Sequence, residues 1–198
     1  IAKLIKKKDG DKWLNHDSID REDYFKDFAV EYLIESIEKD LMLLNIKFDK
    51  FSFEKDIVDS KIINDLFNIL DKKNLLYNGI LEKPKGDDSD DWEPREQLLF
   101  KSSSIIDDQD RAFKKSNGEW TYFANDAAYH LDKYNRAFNK LINIWGADHV
   151  GYIPRMKSVL KTISNKDDYL EIVTCQIVRL IKNKKILKMS KREGNFIT

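Results

Sequence analysis

The sequence predicts an α/β fold, with part of a doubly wound sheet in the second half and a mainly helical first half. Three observations carry this expectation. An apolar run at residues 141–145 is followed by a loop, a helical period and a second apolar run from Leu170, which is the strand, loop, helix, strand order of a parallel sheet. Upstream, apolar residues recur every three or four positions, the period of helices that bury one face. Between the two halves, residues 83–97 are rich in Pro, Gly and Asp, the mark of an exposed loop. The expected division is 1–97, mainly helical, and 98–198, the α/β half.

Taken in order, residues 1–14 are basic and partly apolar and suit the tail of a helix. Residues 17–20 offer caps. Phe25, Phe28, Tyr32, Leu33, Ile37, Leu41 and Leu44 then mark a helix over 21–44, with Asp20, Glu22 and Asp23 where the helix dipole favours negative charge. Asn45 suits a left-handed C-cap. Residues 45–55 alternate around Ile46, Phe48, Phe51 and Phe53 and fit a short strand. A helix over 61–73 follows, with Ser60 as N-cap, and then a strand over 75–81. Past the acidic loop come short β-like pieces at 98–101, 111–114 and 120–123, the last after a turn at Asn117-Gly118. A third helix is expected over 126–139. The continuous apolar run 141–145 reads as a buried parallel strand. Residues 146–151 form a loop, and a helix over 152–163 has Pro154 near its first turn. Residues 170–181 fit strand or helix, 182–185 a turn, and 188–195 a polar loop. No internal repeat is visible.

Composition excludes some classes. Hydrophobic residues make up 41% and aromatics 12%, enough for a core, and charged residues make up 35%. Mean hydropathy is −0.59. Net charge is +0, so no global field draws the chain to nucleic acid or membrane. Residues 87–96 are strongly acidic. Residues 176–192 carry Arg179, Lys182, Lys184, Lys185, Lys188, Lys191 and Arg192 and no acid, which suits a polyphosphate or a nucleic-acid backbone. On charge alone, a solvated surface is the commoner reading. The one cysteine, Cys175, permits no disulfide within the chain and is expected to be a buried, inert thiol. No signal peptide opens the chain, and no apolar run approaches the ~20 residues of a membrane span, so the expected location is cytoplasmic, with no membrane partner. His16, His130 and His149 lack ligand spacing, and no metal site is expected. The chain opens on Ile and stops at Thr198 without a closing element, so it is expected to be a piece cut from a longer protein.

Three constellations carry chemistry. Lys188-Met189-Ser190-Lys191-Arg192 is a polar loop with three cations and Gly194 close behind. Such a loop can close over a triphosphate and neutralise oxygens that gain charge in a transition state; a lysine-rich surface turn is the plainer alternative. Trp120-Thr121-Tyr122-Phe123-Ala124-Asn125-Asp126 presents an aromatic edge and a carboxylate at the expected start of a helix. That carboxylate can accept from the helix N-terminus, or from a guanidinium through a fork of charge-assisted bonds. A plain first-turn acid is equally open. Gly146-Ala147-Asp148-His149-Val150-Gly151 lies at the carboxyl end of an apolar strand, where open α/β sheets bind ligands. A satisfied loop histidine is the commoner case there.

These motifs, in this order, resemble arginyl-tRNA synthetases of bacteria. Lys188-Met189-Ser190-Lys191 resembles the second signature of class I aminoacyl-tRNA synthetases, and Arg192-Glu193-Gly194-Asn195-Phe196-Ile197-Thr198 its arginine-specific continuation. The 120–130 run resembles the arginine-recognition segment, and 145–155 the adenosine-binding loop. The resemblance implies a partial Rossmann-like class I catalytic domain, 98–198, ending in the Lys-Met-Ser-Lys loop, after an inserted or connecting helical segment, 1–97. It implies ATP-dependent formation of arginyl-adenylate and transfer of arginine to its tRNA. Lys188, Ser190 and Lys191 take the catalytic roles, with Lys191 at the transition state. Tyr122, Asp126 and Asp148 bind arginine, Asp148 facing either arginine or ribose. Gly146, His149, Met189 and Lys191 bind ATP. ATP enters as substrate with Mg²⁺, without a tightly bound cofactor; arginine, ATP and the arginine tRNA are the partners, and a monomer is expected. The first class I signature, His-x-Gly-His, and the anticodon-binding domain are not in this chain, so it is expected to be inactive alone. Two rivals stand beside this: a non-catalytic piece that holds arginine or tRNA, and a nucleotidyltransferase of similar fold with another substrate.

Overall fold

A computed structural model of the chain describes residues 1–14, 19–82, 94–182 and 184–187. The expected loops at 83–97 and 188–195 therefore fall largely or wholly outside the described residues. The chain divides into two compact units, Ile1–Phe51 and Ser52–Thr198.

The first unit holds helices α1 (Ala2–Asp9) and α2 (Ile19–Leu43). Lys6, Lys7 and Lys8 fill the last turn of α1, where the helix dipole favours cations. Trp13 stacks on Tyr24 with ring centroids 4.6 Å apart. Asn45 ends α2 as expected, at φ 56, and the Ile46 N–H returns to the Leu41 carbonyl at 2.9 Å. Along the apolar stripe of α2, Leu33 is 51% exposed and Ile37 45%. The expected strand over 45–55 is not formed. Phe48 and Phe51 pack on each other at 5.4 Å instead of alternating across a pleat, and helix α3 (Glu54–Asp59) takes up the rest.

The second unit begins with α3 and α4 (Ile62–Lys72). Lys61, not Ser60, occupies the N-cap position of α4, although Ser60 Oγ accepts from the Ile62 N–H at 3.3 Å. Strands β1 (Leu76–Gly79), β2 (Gln97–Phe100) and β3 (Arg111–Lys114) form an antiparallel sheet in that order. Its pairing of Gly79 with Gln97 and Leu76 with Phe100 joins chain from both sides of the 97/98 boundary. The expected strand at 120–123 reduces to one bridge, Lys114 to Trp120, because Thr121 starts a helix there. Thr121 Oγ1 accepts from the Ala124 N–H at 3.2 Å and donates to the Ala112 carbonyl at 2.8 Å. Helix α5 therefore runs Tyr122–Asn135 rather than 126–139.

Strands β4 (Leu141–Gly146) and β5 (Leu170–Cys175) pair in parallel from Leu141↔Leu170 to Gly146↔Cys175, in the strand, helix, strand order expected; the run 170–181, which fitted strand or helix, is a strand only to Cys175. Burial is one-sided: Leu141 and Asn143 are buried, while Ile142 is 59% exposed and Ile144 72%. The expected loop after β4 is a 3₁₀ turn, Ala147–Tyr152, leading into α6 (Ile153–Ser164) with proline in its first turn. Cys175 is exposed, against expectation, because it sits at the carboxyl end of β5 where the strand leaves the core. Two short strands, β6 (Ile181–Lys182) and β7 (Lys185–Ile186), pair antiparallel on either side of the expected turn.

The core of this unit lies between α4, α5 and α6. Leu66 and Leu70 of α4 are fully buried and share a cluster with Ala124, Ala127 and Ala128 of α5, whose short side chains admit a close helix–helix approach. Burial of each leucine contributes about 1.5–3 kcal/mol. Phe100, Phe113, Met156, Val159 and Leu160 belong to the same cluster. Among the described residues no helix is long and apolar enough to cross a membrane.

Candidate functional site

Helix α5 carries the site on one face. Tyr122, Asp126 and Tyr129 follow at the i, i+4, i+7 spacing that stacks side chains along a helix. The three residues are shared by two cavities. One, of 280 Å³, is closed by Ser52, Phe53, Glu54 and Ile57 at the start of α3, with Asn125. The other, of 320 Å³, reaches the carboxyl end of β4 and is lined also by His130, Lys133, Trp145, His149 and Tyr152. Tyr122 itself is 81% exposed, an aromatic wall open to a ligand.

Asp126 lies in the second turn of α5, not at the helix start the sequence led us to expect. Its anchor is consequently not the helix N-terminus. The Tyr152 hydroxyl donates to Asp126 Oδ2 at 2.9 Å, and Oδ1 accepts no hydrogen bond among the described residues. Burial pushes the Asp126 carboxyl above its ordinary value. The bond from Tyr152 pulls it down, the negative charge of Glu54 raises it again, and Lys133 and His149 lower it; the balance is upward.

Behind Asp126 runs a buried polar chain. Lys133 Nζ donates to Asn143 Oδ1 at 3.2 Å, Asn143 Nδ2 donates to His130 Nε2 at 2.7 Å, and His130 Nδ1 reaches the Asp126 carbonyl at 2.7 Å. Because Nε2 accepts and the carbonyl can only accept, the ring must be neutral with its proton on Nδ1. Burial holds the imidazole at about 4, so it stays neutral at physiological pH. The Lys133 ammonium lies 4.4 Å from the Tyr129 ring centroid, and burial lowers its pKa.

At the end of β4, Gly146 has an ordinary φ of −66, so its lack of a side chain answers to space rather than to backbone conformation. A Cβ there would collide with Asp148 Oδ1. His149 Nε2 stands 3.6 Å from Asp148 Oδ2, and both side chains are exposed.

The structure thus brings together Tyr122, Asp126 and His149 from the residues singled out by sequence. Gly146 and Asp148 are chain neighbours of His149, and neither lines the two cavities. Lys188, Met189, Ser190 and Lys191 lie outside the described residues. Sequence reading missed Glu54, Tyr129, His130, Lys133, Asn143 and Tyr152. The helical spacing of Tyr129 with Asp126 could have flagged it; Glu54 was hidden inside the expected strand. Among the described residues no cluster of His, Cys, Asp or Glu could hold a metal ion.

Over 96% of its length the chain is 45% identical to an arginine–tRNA ligase of Orientia tsutsugamushi (strain Ikeda), covering 32% of it. Over 87% it is 47% identical to an arginine–tRNA ligase of Parvibaculum lavamentivorans, covering 30%. The chain spans about a third of the length of the relatives it matches. A crystal structure from Campylobacter jejuni, assigned as an arginyl-tRNA synthetase, superposes with a TM-score of 0.74 at 31% identity, covering 95% of this chain and 37% of that one. No family model matches. Over most of its length the chain is thus similar to bacterial arginine–tRNA ligases, and its structure mixes helix and sheet with a parallel strand pair.

Proposed function

We propose that the chain forms the arginine-binding part, and part of the ATP site, of an arginine–tRNA ligase. The observation that carries this reading is a pair of carboxylates, Asp126 and Glu54, on one 280 Å³ cavity walled by Tyr122 and Tyr129. Two acids beside aromatic faces suit a planar cation: the acids accept its N–H groups and the rings accept its face. Similarity to arginine–tRNA ligases over nearly the whole chain supports arginine as that cation.

In this reading Tyr122 and Asp126 select the guanidinium, with Glu54 as the second acid. Asp148 faces arginine or the ribose. The turn from Gly146 to His149 receives the adenosine, at the carboxyl end of a parallel strand, as in a Rossmann-like class I domain. The arginine carboxylate attacks the α-phosphate of ATP, which arrives with Mg²⁺ on its phosphates. Arginyl-adenylate forms, pyrophosphate leaves, and the arginyl group passes to the terminal ribose of its tRNA. Lys188 and Lys191 neutralise phosphate charge, Ser190 donates a hydrogen bond, and Met189 belongs to the ATP site. Such chemistry needs positioning and charge stabilisation rather than a covalent enzyme intermediate. The division into a connecting segment, 1–97, and a catalytic half, 98–198, concerns roles in the longer enzyme rather than packing.

The test is pyrophosphate exchange into ATP by the full-length protein with tRNA present, each amino acid supplied in turn. Exchange with arginine alone is expected. Exchange with a different amino acid, or with none from a folded and complete chain, would overturn the reading.

A further inference from the structure

Tyr152 stands where the 3₁₀ turn after β4 enters α6, and three neighbours fix its ring. Trp145 meets it edge-on at 5.9 Å and Phe123 at 6.3 Å, and the Arg155 guanidinium lies 4.7 Å from its centroid. From this seat its hydroxyl reaches back across 26 residues to Asp126 Oδ2. The terminal torsion of an aspartate is broad and soft, so an unheld carboxylate samples many planes. One donor on a ring packed by three neighbours restricts that freedom before any ligand arrives. Among the described residues, three of the four acceptor positions of the carboxylate remain available, including both on Oδ1.

The chemistry of the incoming cation decides what this is worth. A guanidinium is planar and forms its paired N–H bonds only when the carboxylate is suitably oriented. An ammonium is a compact charge with rotatable donors and is nearly indifferent to that plane. Resting on the arginine-binding reading above, we propose that Tyr152 is a positioning residue that presets the carboxylate plane of Asp126 and so favours a guanidinium side chain over an ammonium of equal charge.

The charged and titratable groups that face Asp126 are Glu54 from α3, Lys133 from α5, and His149 and Tyr152 from the 3₁₀ turn. Among the described residues, Tyr152 is the one that hydrogen-bonds the carboxylate. Deleting the hydroxyl leaves the other charges in place and withdraws a donor that favours the ionised form. Asp126 then protonates more readily, and arginine use fails at a higher pH than in the wild type.

The experiment compares the full-length protein with its Tyr152→Phe variant, which keeps the ring and its packing. Arginine- and tRNA-dependent pyrophosphate exchange gives KM for arginine and for ATP across a pH series, and lysine serves as a competing inhibitor. We expect KM for arginine to rise about tenfold, with KM for ATP and the inhibition constant of lysine unchanged and the acid limb of arginine use moved to higher pH. In an Asp126→Asn background the same change should add little, because its target is gone. Equal weakening of arginine, lysine and ATP, an unchanged arginine KM, or fully additive effects in the double variant would overturn the proposal. Absence of arginine-dependent exchange by the wild-type protein would instead overturn the arginine reading, and this inference with it.

Discussion

Acidification should break the core of the second unit at one identifiable group, His130. The ring is 4% exposed, accepts from Asn143 and donates to the Asp126 carbonyl, so its neutral form is built into the fold. Its pKa is lowered by burial from 6.5 to about 4. A folded-state value below the unfolded one means that, between these limits, the unfolded chain binds the proton and the folded chain resists it. The stabilisation is therefore complete above the unfolded pKa and is lost as pH falls toward the folded pKa. At 1.36 kcal/mol per unit, the loss by pH ~4 is on the order of 3 kcal/mol. His130→Gln supplies a neutral amide able to donate and accept in the same seat, without the titration. Urea unfolding of the chain and of this variant, followed from neutral pH to pH ~4, isolates the contribution from that of the carboxylates. The wild type should lose about 3 kcal/mol more than the variant over that range. Parallel stability curves, or an NMR titration of the His130 ring with a midpoint near the ordinary histidine value, would refute the assignment of a buried neutral ring.

Two further outcomes follow from the site. Asp126→Asn in the full-length protein removes a charge, and if the amide oxygen takes the Tyr152 bond it turns an NH₂ toward the cavity. A charge-assisted bond is worth ~1.5–3 kcal/mol, so kcat/KM for arginine should fall roughly 10- to 150-fold while KM for ATP stays within a factor of two or so; equal losses in steady-state kinetics would remove Asp126 from arginine recognition. Gly146→Ala forces Asp148 from its present place without straining the backbone. Its melting temperature should stay close to the wild type, since surface changes usually cost no more than about 0.5 kcal/mol, while KM for ATP rises several-fold; an unchanged KM would leave the turn without a nucleotide role.

How much of this was legible in the sequence depended on the range of the interaction that fixed each element. Helix α2 and its Asn45 cap follow from period and from one residue's tolerance of positive φ, and β3 follows from a local turn at Asn117-Gly118. The parallel pairing of β4 and β5 follows from two apolar runs separated by a helix. The misreadings occurred where local chemistry was ambiguous. Aromatic residues at 120–123 suit a strand, but the Thr121 hydroxyl, tied both to β3 and to the Ala124 N–H, turned them into the first residues of α5. That shift moved Asp126 inside the helix. Tyr122 and Asp126 were visible because they lie in one motif. Glu54 and Tyr152 join them only through the packing of α3 and the 3₁₀ turn against α5, which no spacing along the chain announces. Cys175 was judged from its apolar neighbours, yet alternation along β5 and its position at the strand end expose it.

The one-sided burial of β4 and β5 also bears on how the chain behaves as a particle in solution. Parallel strands are ordinarily covered on both faces. Here Ile142, Ile144 and Val173 stay exposed while the opposite face lies on the core. With a net charge of +0, long-range repulsion between copies is too weak to keep such faces apart. In the isolated chain this aliphatic strip adds to the apolar surface exposed at Leu43, Leu44 and Val178, and lysines and aspartates whose charges cancel do little to hold copies apart.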